Sequence, residues 1–142
     1  STLRDVPREL LESHKQEMSA IVYKRCSYII GETERMRKAT DFLDDGNLAA
    51  FGELMFLTHR GLQHDYEVSC KELDFLVDQV EGQPGVLGSR MMGGGFGGCT
   101  INIIANEKLA ELTQDLAVAY KTAFNIELEN YHVTITNGCE VI

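Results

Sequence analysis

A chain of 142 residues is long enough to bury one core, and hydrophobic and charged fractions of 44% and 25% are those of an ordinary globular domain. Thirteen Lys and Arg stand against 22 Asp and Glu, a formal net charge of −9, with 10 against 16 up to Val86 and 3 against 6 beyond it. Neither part offers the basic face that nucleic acid requires, and no apolar run nears the roughly 20 residues of a membrane span, so neither partner is expected. Cys26, Cys70, Cys99 and Cys139 form no Cys-x-x-Cys pair and read as free thiols of a cytoplasmic protein. His14, His59, His64 and His132 are equally scattered, and no metal site is expected from them.

In chain order, Val22, Cys26, Ile29, Met36 and Leu43 recur at helical spacing, which predicts one long amphipathic helix over Glu17–Leu43, closed by Asp44-Asp45-Gly46. Asn47 is positioned as the N-cap of a second helix bearing Leu48, Phe51, Met55 and Leu62 on one face. Ser69 and Glu72 have capping-box spacing ahead of Leu73, Leu76, Val77 and Val80, so a third helix is expected from Ser69 until Gly82-Gln-Pro-Gly85 breaks it. Strands are expected at Val86–Met91 and Thr100–Ile104, then a helix capped by Asn106 and bearing Leu109, Leu112, Leu116 and Tyr120. Tyr131, Val133 and Ile135 alternate with His132, Thr134 and Thr136 as a last strand. The fold class is therefore α+β, with helices packed on an antiparallel sheet.

Between the two central strands lies Ser89-Arg-Met-Met-Gly-Gly-Gly-Phe-Gly-Gly-Cys-Thr100, with glycines at 93, 94, 95, 97 and 98. Such a run admits positive φ and lets a ligand approach without meeting a Cβ, and its successive N–H groups suit phosphate oxygens. It is not a Walker loop, which needs Lys-Ser/Thr after the last glycine and a helix beyond, nor a Rossmann turn, which also opens a helix. Spacing alone leaves two readings, a strained hairpin without a ligand or a phosphate cradle.

The wider string resembles the third signature motif of the galactokinases, members of the galactokinase, homoserine kinase, mevalonate kinase and phosphomevalonate kinase superfamily. Thr58–Asp74 is similar to a second galactokinase stretch, with Asp65-Tyr-Glu-Val-Ser-Cys70 intact and departures at Thr58, Gly61, Gln63, His64 and Lys71. Leu3–Val6 and Arg25–Glu32 match more loosely, Tyr28 standing where many relatives have His; the similarity runs from about Leu3 to Gly138. It implies that Gly93, Gly94, Gly95, Gly97 and Gly98 line an ATP phosphate pocket, where a Cβ at Gly95 or Gly97 would crowd the phosphates or forbid positive φ. Met92 replaces the usual Thr or Ser and is not carried over as a ligand residue. His59 and Asp65 are either structural or placed on the cleft wall, supporting residues at most.

The resemblance also says what this sequence lacks. The sugar-recognition motif Gly-Arg-x-Asn-Leu-Ile-Gly-Glu-His, the main phosphate loop Pro-x-Gly-x-Gly-Leu-Ser-Ser-Ser and the catalytic Asp and Arg have no counterpart here, so no catalytic residue and no metal ligand is named. The expectation is that residues 1–142 form the single C-terminal domain of a galactokinase, which transfers the γ-phosphate of ATP to the C1 hydroxyl of galactose. Its own N-terminal domain would be its partner, and Mg²⁺ would be held there. The alternatives are a galactokinase-like sugar and ATP sensor without turnover, and a small-molecule-binding regulatory domain.

Overall fold

The computed structural model describes residues 2–135. Five helices and one hairpin follow in the order α1 (Arg8–Ser13), α2 (Ala20–Asp44), α3 (Leu48–Gly61), α4 (Lys71–Val80), β1 (Val86–Met92), β2 (Cys99–Ile104) and α5 (Asn106–Phe124), with short 3-10 turns at Leu3–Asp5 and Lys15–Glu17. The helices pack on a two-stranded antiparallel sheet, as the class assignment required.

Local signals fixed most boundaries. Ser19 caps α2, its hydroxyl accepting from Val22 N–H, and Thr33 and Thr40 turn their hydroxyls back onto the carbonyls of Ile29 and Met36. Asn47 caps α3 through Ala50 N–H, as the sequence predicts. Two expected caps are different. Ser69 lies one residue outside the N-cap Cys70 and donates instead to Asp74 Oδ1 at 2.5 Å, while Asn106 is the first residue of α5, whose N-cap Ala105 has no side-chain acceptor.

The face of α2 also departs from its periodicity. Tyr28 and Ile30 are its buried residues, whereas Val22, Met36 and Leu43 of the predicted stripe remain about half exposed. Its packing is set by α3, where Gly61 has no Cβ to obstruct the Tyr28 ring, and Tyr28 in turn stacks on Tyr66 with centroids 5.3 Å apart. On α4 the four predicted apolar residues are all buried. The last predicted strand does not form: residues 131–135 have no sheet partner, Tyr131, Val133 and Ile135 are strongly exposed, and Thr136 and Cys139 lie outside the described residues. Alternation describes what a strand could bury but does not choose its partner; among the described residues β1 and β2 pair with each other and their outer edges carry no third strand.

The central contact joins α3 to β1. A Cβ on Gly52 would overlap the Leu87 carbonyl, and one on Gly88 would come within 2.5 Å of Gly52 Cα. Helix and strand backbones therefore touch directly. Gly31, by contrast, sits in the middle of α2 with only the tip of the exposed Arg8 side chain within reach of a Cβ. We expect Gly31→Ala to stabilise the chain by about 0.5–1 kcal/mol through helix propensity, and Gly52→Ala to destabilise it by at least about 1–3 kcal/mol through overpacking. Urea unfolding midpoints of the two variants check this, and the same sign for both would be inconsistent with the contact described.

Candidate functional site

The Met92–Cys99 pair closes the hairpin, leaving Gly93–Gly98 as its loop. Positive φ occurs at Gly93, Gly95, Phe96, Gly97 and Gly98, with values of 89°, 90°, 60°, 135° and 106°. Four of the five glycines thus occupy backbone that L side chains rarely adopt, and Phe96 sits in the left-handed region, a strained place for an aromatic residue. The Phe96 side chain is exposed.

The glycines divide into two roles. Gly95 lies against the link between α3 and α4: a Cβ there would overlap the Val68 carbonyl, to which the neighbouring Phe96 N–H donates at 2.7 Å. Its lack of a side chain is required by the fold itself. Gly93, Gly94 and Gly97 have nothing within 4 Å of where a Cβ would stand, and Gly94 alone combines that openness with ordinary φ. Among the described residues the N–H groups of Gly93, Gly94, Gly95 and Gly97 meet no protein acceptor. An accessible row of free donors with no Cβ in front of it is the chemistry that binds an anion. The loop thus combines a packed anchor at Gly95 with open backbone at Gly93, Gly94 and Gly97.

Phe96, Gly97 and Gly98 also line an open cavity of about 310 Å³ with Cys70, Leu73 and Tyr120. The N-terminus of α4 borders it, but Glu72 occupies that end; its carboxylate is held below the usual range by its own backbone N–H, with the Cys70 side chain adding to the effect. The helix end is thus already matched with a negative charge, and the open donors belong to the glycine loop.

His59 is not on a cleft wall. Its ring is fully buried between α3, α4 and β1; Nδ1 accepts from Met91 N–H at 3.2 Å, and Nε2 lies 3.2 Å from Asp74 Oδ1 in poor alignment for a hydrogen bond. Accepting at Nδ1 requires the neutral ring with its proton on Nε2. Burial pushes the imidazole below its ordinary pKa; Asp74 and Asp78 oppose that shift and Arg60 adds to it. Asp65 is exposed, and its backbone carbonyl accepts from Arg25. Arg25 also pairs with Glu67, whose left-handed φ of 58° ends the π turn Leu62–Tyr66. His59 is therefore held within the core, whereas the exposed Asp65 borders an open cavity with Lys24, Tyr28 and Arg35, a difference that sequence reasoning had no signal to find. Met92 is about half exposed beside the loop.

Comparison with known proteins adds the family. The model described as GHMP kinases C terminal matches residues 37–116, more than half of the chain. The chain belongs to the GHMP kinase C-terminal family. It is 35% identical over 135 residues to a galactokinase of Thermotoga petrophila, covering 95% of this chain and 39% of that protein. Against the galactokinases of Clostridium perfringens and Bos taurus the identities are 45% and 42%, over 81% and 84% of this chain and 30% of each relative. The crystal structure of Lactococcus lactis galactokinase complexed with galactose superposes with a TM-score of 0.84 at 31% identity, covering 89% of this chain and 33% of that one. The chain thus spans between 30% and 39% of the length of these relatives. No helix among the described residues is long and apolar enough to cross a membrane.

Two outcomes follow from the site geometry. Gly94→Ala should leave the unfolding midpoint of the chain unchanged, whereas Gly95→Ala should lower stability by about 1–3 kcal/mol through strain; equal losses in thermal melts would remove the distinction between them. For His59 the native pKa lies below the unfolded one, so its contribution is complete above about pH 6.5 and is lost as the pH falls further, when the unfolded chain takes up a proton that the native ring refuses. The stability difference between the chain and its His59→Asn variant should therefore shrink between pH 6.5 and 5, with a limiting slope of about 1.4 kcal/mol per pH unit. A difference constant over that range would contradict a buried neutral ring.

Proposed function

We propose that this chain is the C-terminal domain of a galactokinase and that its glycine loop forms one wall of the ATP phosphate pocket. The observation that carries the reading is the set of open, donor-bearing glycines Gly93, Gly94 and Gly97 within a string shared with the galactokinases, on a fold that superposes on one of them. Gly95 and Gly98 belong to the same loop, Gly95 as its anchor on Val68. The whole enzyme would transfer the γ-phosphate of ATP to galactose, in the cytoplasm, with this domain closing on its own N-terminal half.

In that arrangement the chain's contribution is positional. Backbone N–H groups fixed in advance donate to phosphate oxygens without reorganising, and the absence of Cβ atoms admits the polyphosphate to hydrogen-bonding distance. No proton is moved by these residues. Mg²⁺ would neutralise charge on the phosphates, yet among the described residues no group of three His, Cys, Asp or Glu side chains could hold a metal ion. Its ligands are expected in the N-terminal half.

Two measurements test the reading. In a coupled ADP-release assay with galactose and Mg-ATP, the 142-residue chain should show no galactose-dependent turnover, because one wall of a cleft cannot orient two substrates against each other. Turnover well above a no-protein blank would show a complete catalytic site within this chain. In an enzyme that joins this domain to its N-terminal half, Gly94→Val should weaken ATP binding by roughly tenfold to 150-fold, the worth of one hydrogen bond to a charged group. Unchanged steady-state constants for ATP would make the loop structural only.

A further inference from the structure

The Gly93–Gly94 stretch is held from two sides, and the two holds meet at the His59–Asp74 pair. On the strand side, Met91 N–H donates to His59 Nδ1. On the other, Phe96 N–H donates to the carbonyl of Val68, and the next residue, Ser69, donates through its hydroxyl to Asp74 Oδ1. That same carboxylate oxygen faces His59 Nε2. A protonated ring would set an N–H against the Met91 N–H, so only the neutral ring keeps the strand-side hold.

We propose that His59 is a positioning residue for the glycine loop, acting with Asp74 and Ser69 to fix Met91 and Val68, the two anchor points between which Gly93 and Gly94 are presented. The proposal rests on the reading of the loop as a phosphate wall, and it deepens that reading by naming what aims the donors. His59, Asp74 and Ser69 touch no ligand in this account. They act through Met91 and Val68. The arrangement explains a fully buried histidine that has no role in the chemistry.

The test is backbone amide NMR on the intact chain. His59→Ala and Asp74→Asn should move the resonances of Met91 and Gly93–Phe96, while those of α1 and α5 stay in place. His59→Asn, whose Oδ1 stands where Nδ1 stood, should return the loop resonances toward their original positions. Ring nitrogen shifts in the unaltered chain should report a bare Nδ1 and a protonated Nε2. The proposal is overturned by loop resonances that do not move in His59→Ala, by changes spread evenly over the whole chain, or by the opposite tautomer. If His59→Ala does not fold, Ser69→Ala, which removes a single hydroxyl, decides the matter: shifts at Gly95 and Phe96 support the network and their absence refutes it. Titrating Mg-ATP into an enzyme that joins this domain to its N-terminal half, with the loop amides observed, separates the two ideas. Loop amides that ignore Mg-ATP but move in His59→Ala would remove the phosphate wall and leave the positioning network standing.

Discussion

The backbone of α3 meets the backbone of β1 at Gly52 and Gly88 with no side chain between them, and the site is stacked on that contact. Seven residues of helix from Gly52 to His59 advance about 10.5 Å, and three residues of strand from Gly88 to Met91 advance about 10 Å. Helix and strand therefore stay in step, and the imidazole of His59 arrives beside the Met91 N–H that it accepts. With even a methyl group at Gly52 the helix would stand off from the strand, and the histidine would no longer reach. Arg60, the next residue, ties the same helix to α4 by pairing with Asp78 at 2.7 Å and with Glu81. One helix thus sets the strand behind the loop, the link in front of it and the helix beside it.

This explains why a loop so rich in glycine has a definite shape. Six residues with five glycines have a large conformational entropy to lose, and sequence alone would allow the segment to be loose. The structure restrains it by anchoring one tip residue, Phe96, on Val68, and by fixing the strand end through Met91. Gly93 and Gly94, between the anchors, are left open with unused N–H groups. A site that must be accessible and rigid at once draws its rigidity from neighbours rather than from its own side chains.

The sequence made the helices and the hairpin legible because periodicity and local caps report them directly: the four apolar residues of α4 are all buried, and Asn47 caps α3 as its position implied. It was less informative wherever tertiary partners decide. The core face of α3 runs through Gly52, Met55, Phe56 and His59, a helical spacing in which two of the four letters are not hydrophobic. A pattern built on apolar residues picked out Leu48 and Leu62 instead. Ser69 has the sequence of a helix cap, which would accept from a backbone N–H of α4, but its hydroxyl donates instead to Asp74 Oδ1. The segment at 131–135 has the alternation of a strand but pairs with neither strand of the hairpin. The loop's location was plain from its glycines, but its division into one packing glycine and three open ones was not, because Val68 is distant in sequence.

The central claim is that the glycine loop and α3 form one cooperative unit through β1. Native-state hydrogen exchange at increasing denaturant measures that directly. The amides of Met91 and Phe96 should exchange through the same opening, with the same free energy and denaturant dependence, as the buried α3 amides of Met55 and Phe56. Exchange of Met91 and Phe96 through a separate, lower-energy opening, with α3 still protected, would contradict the account.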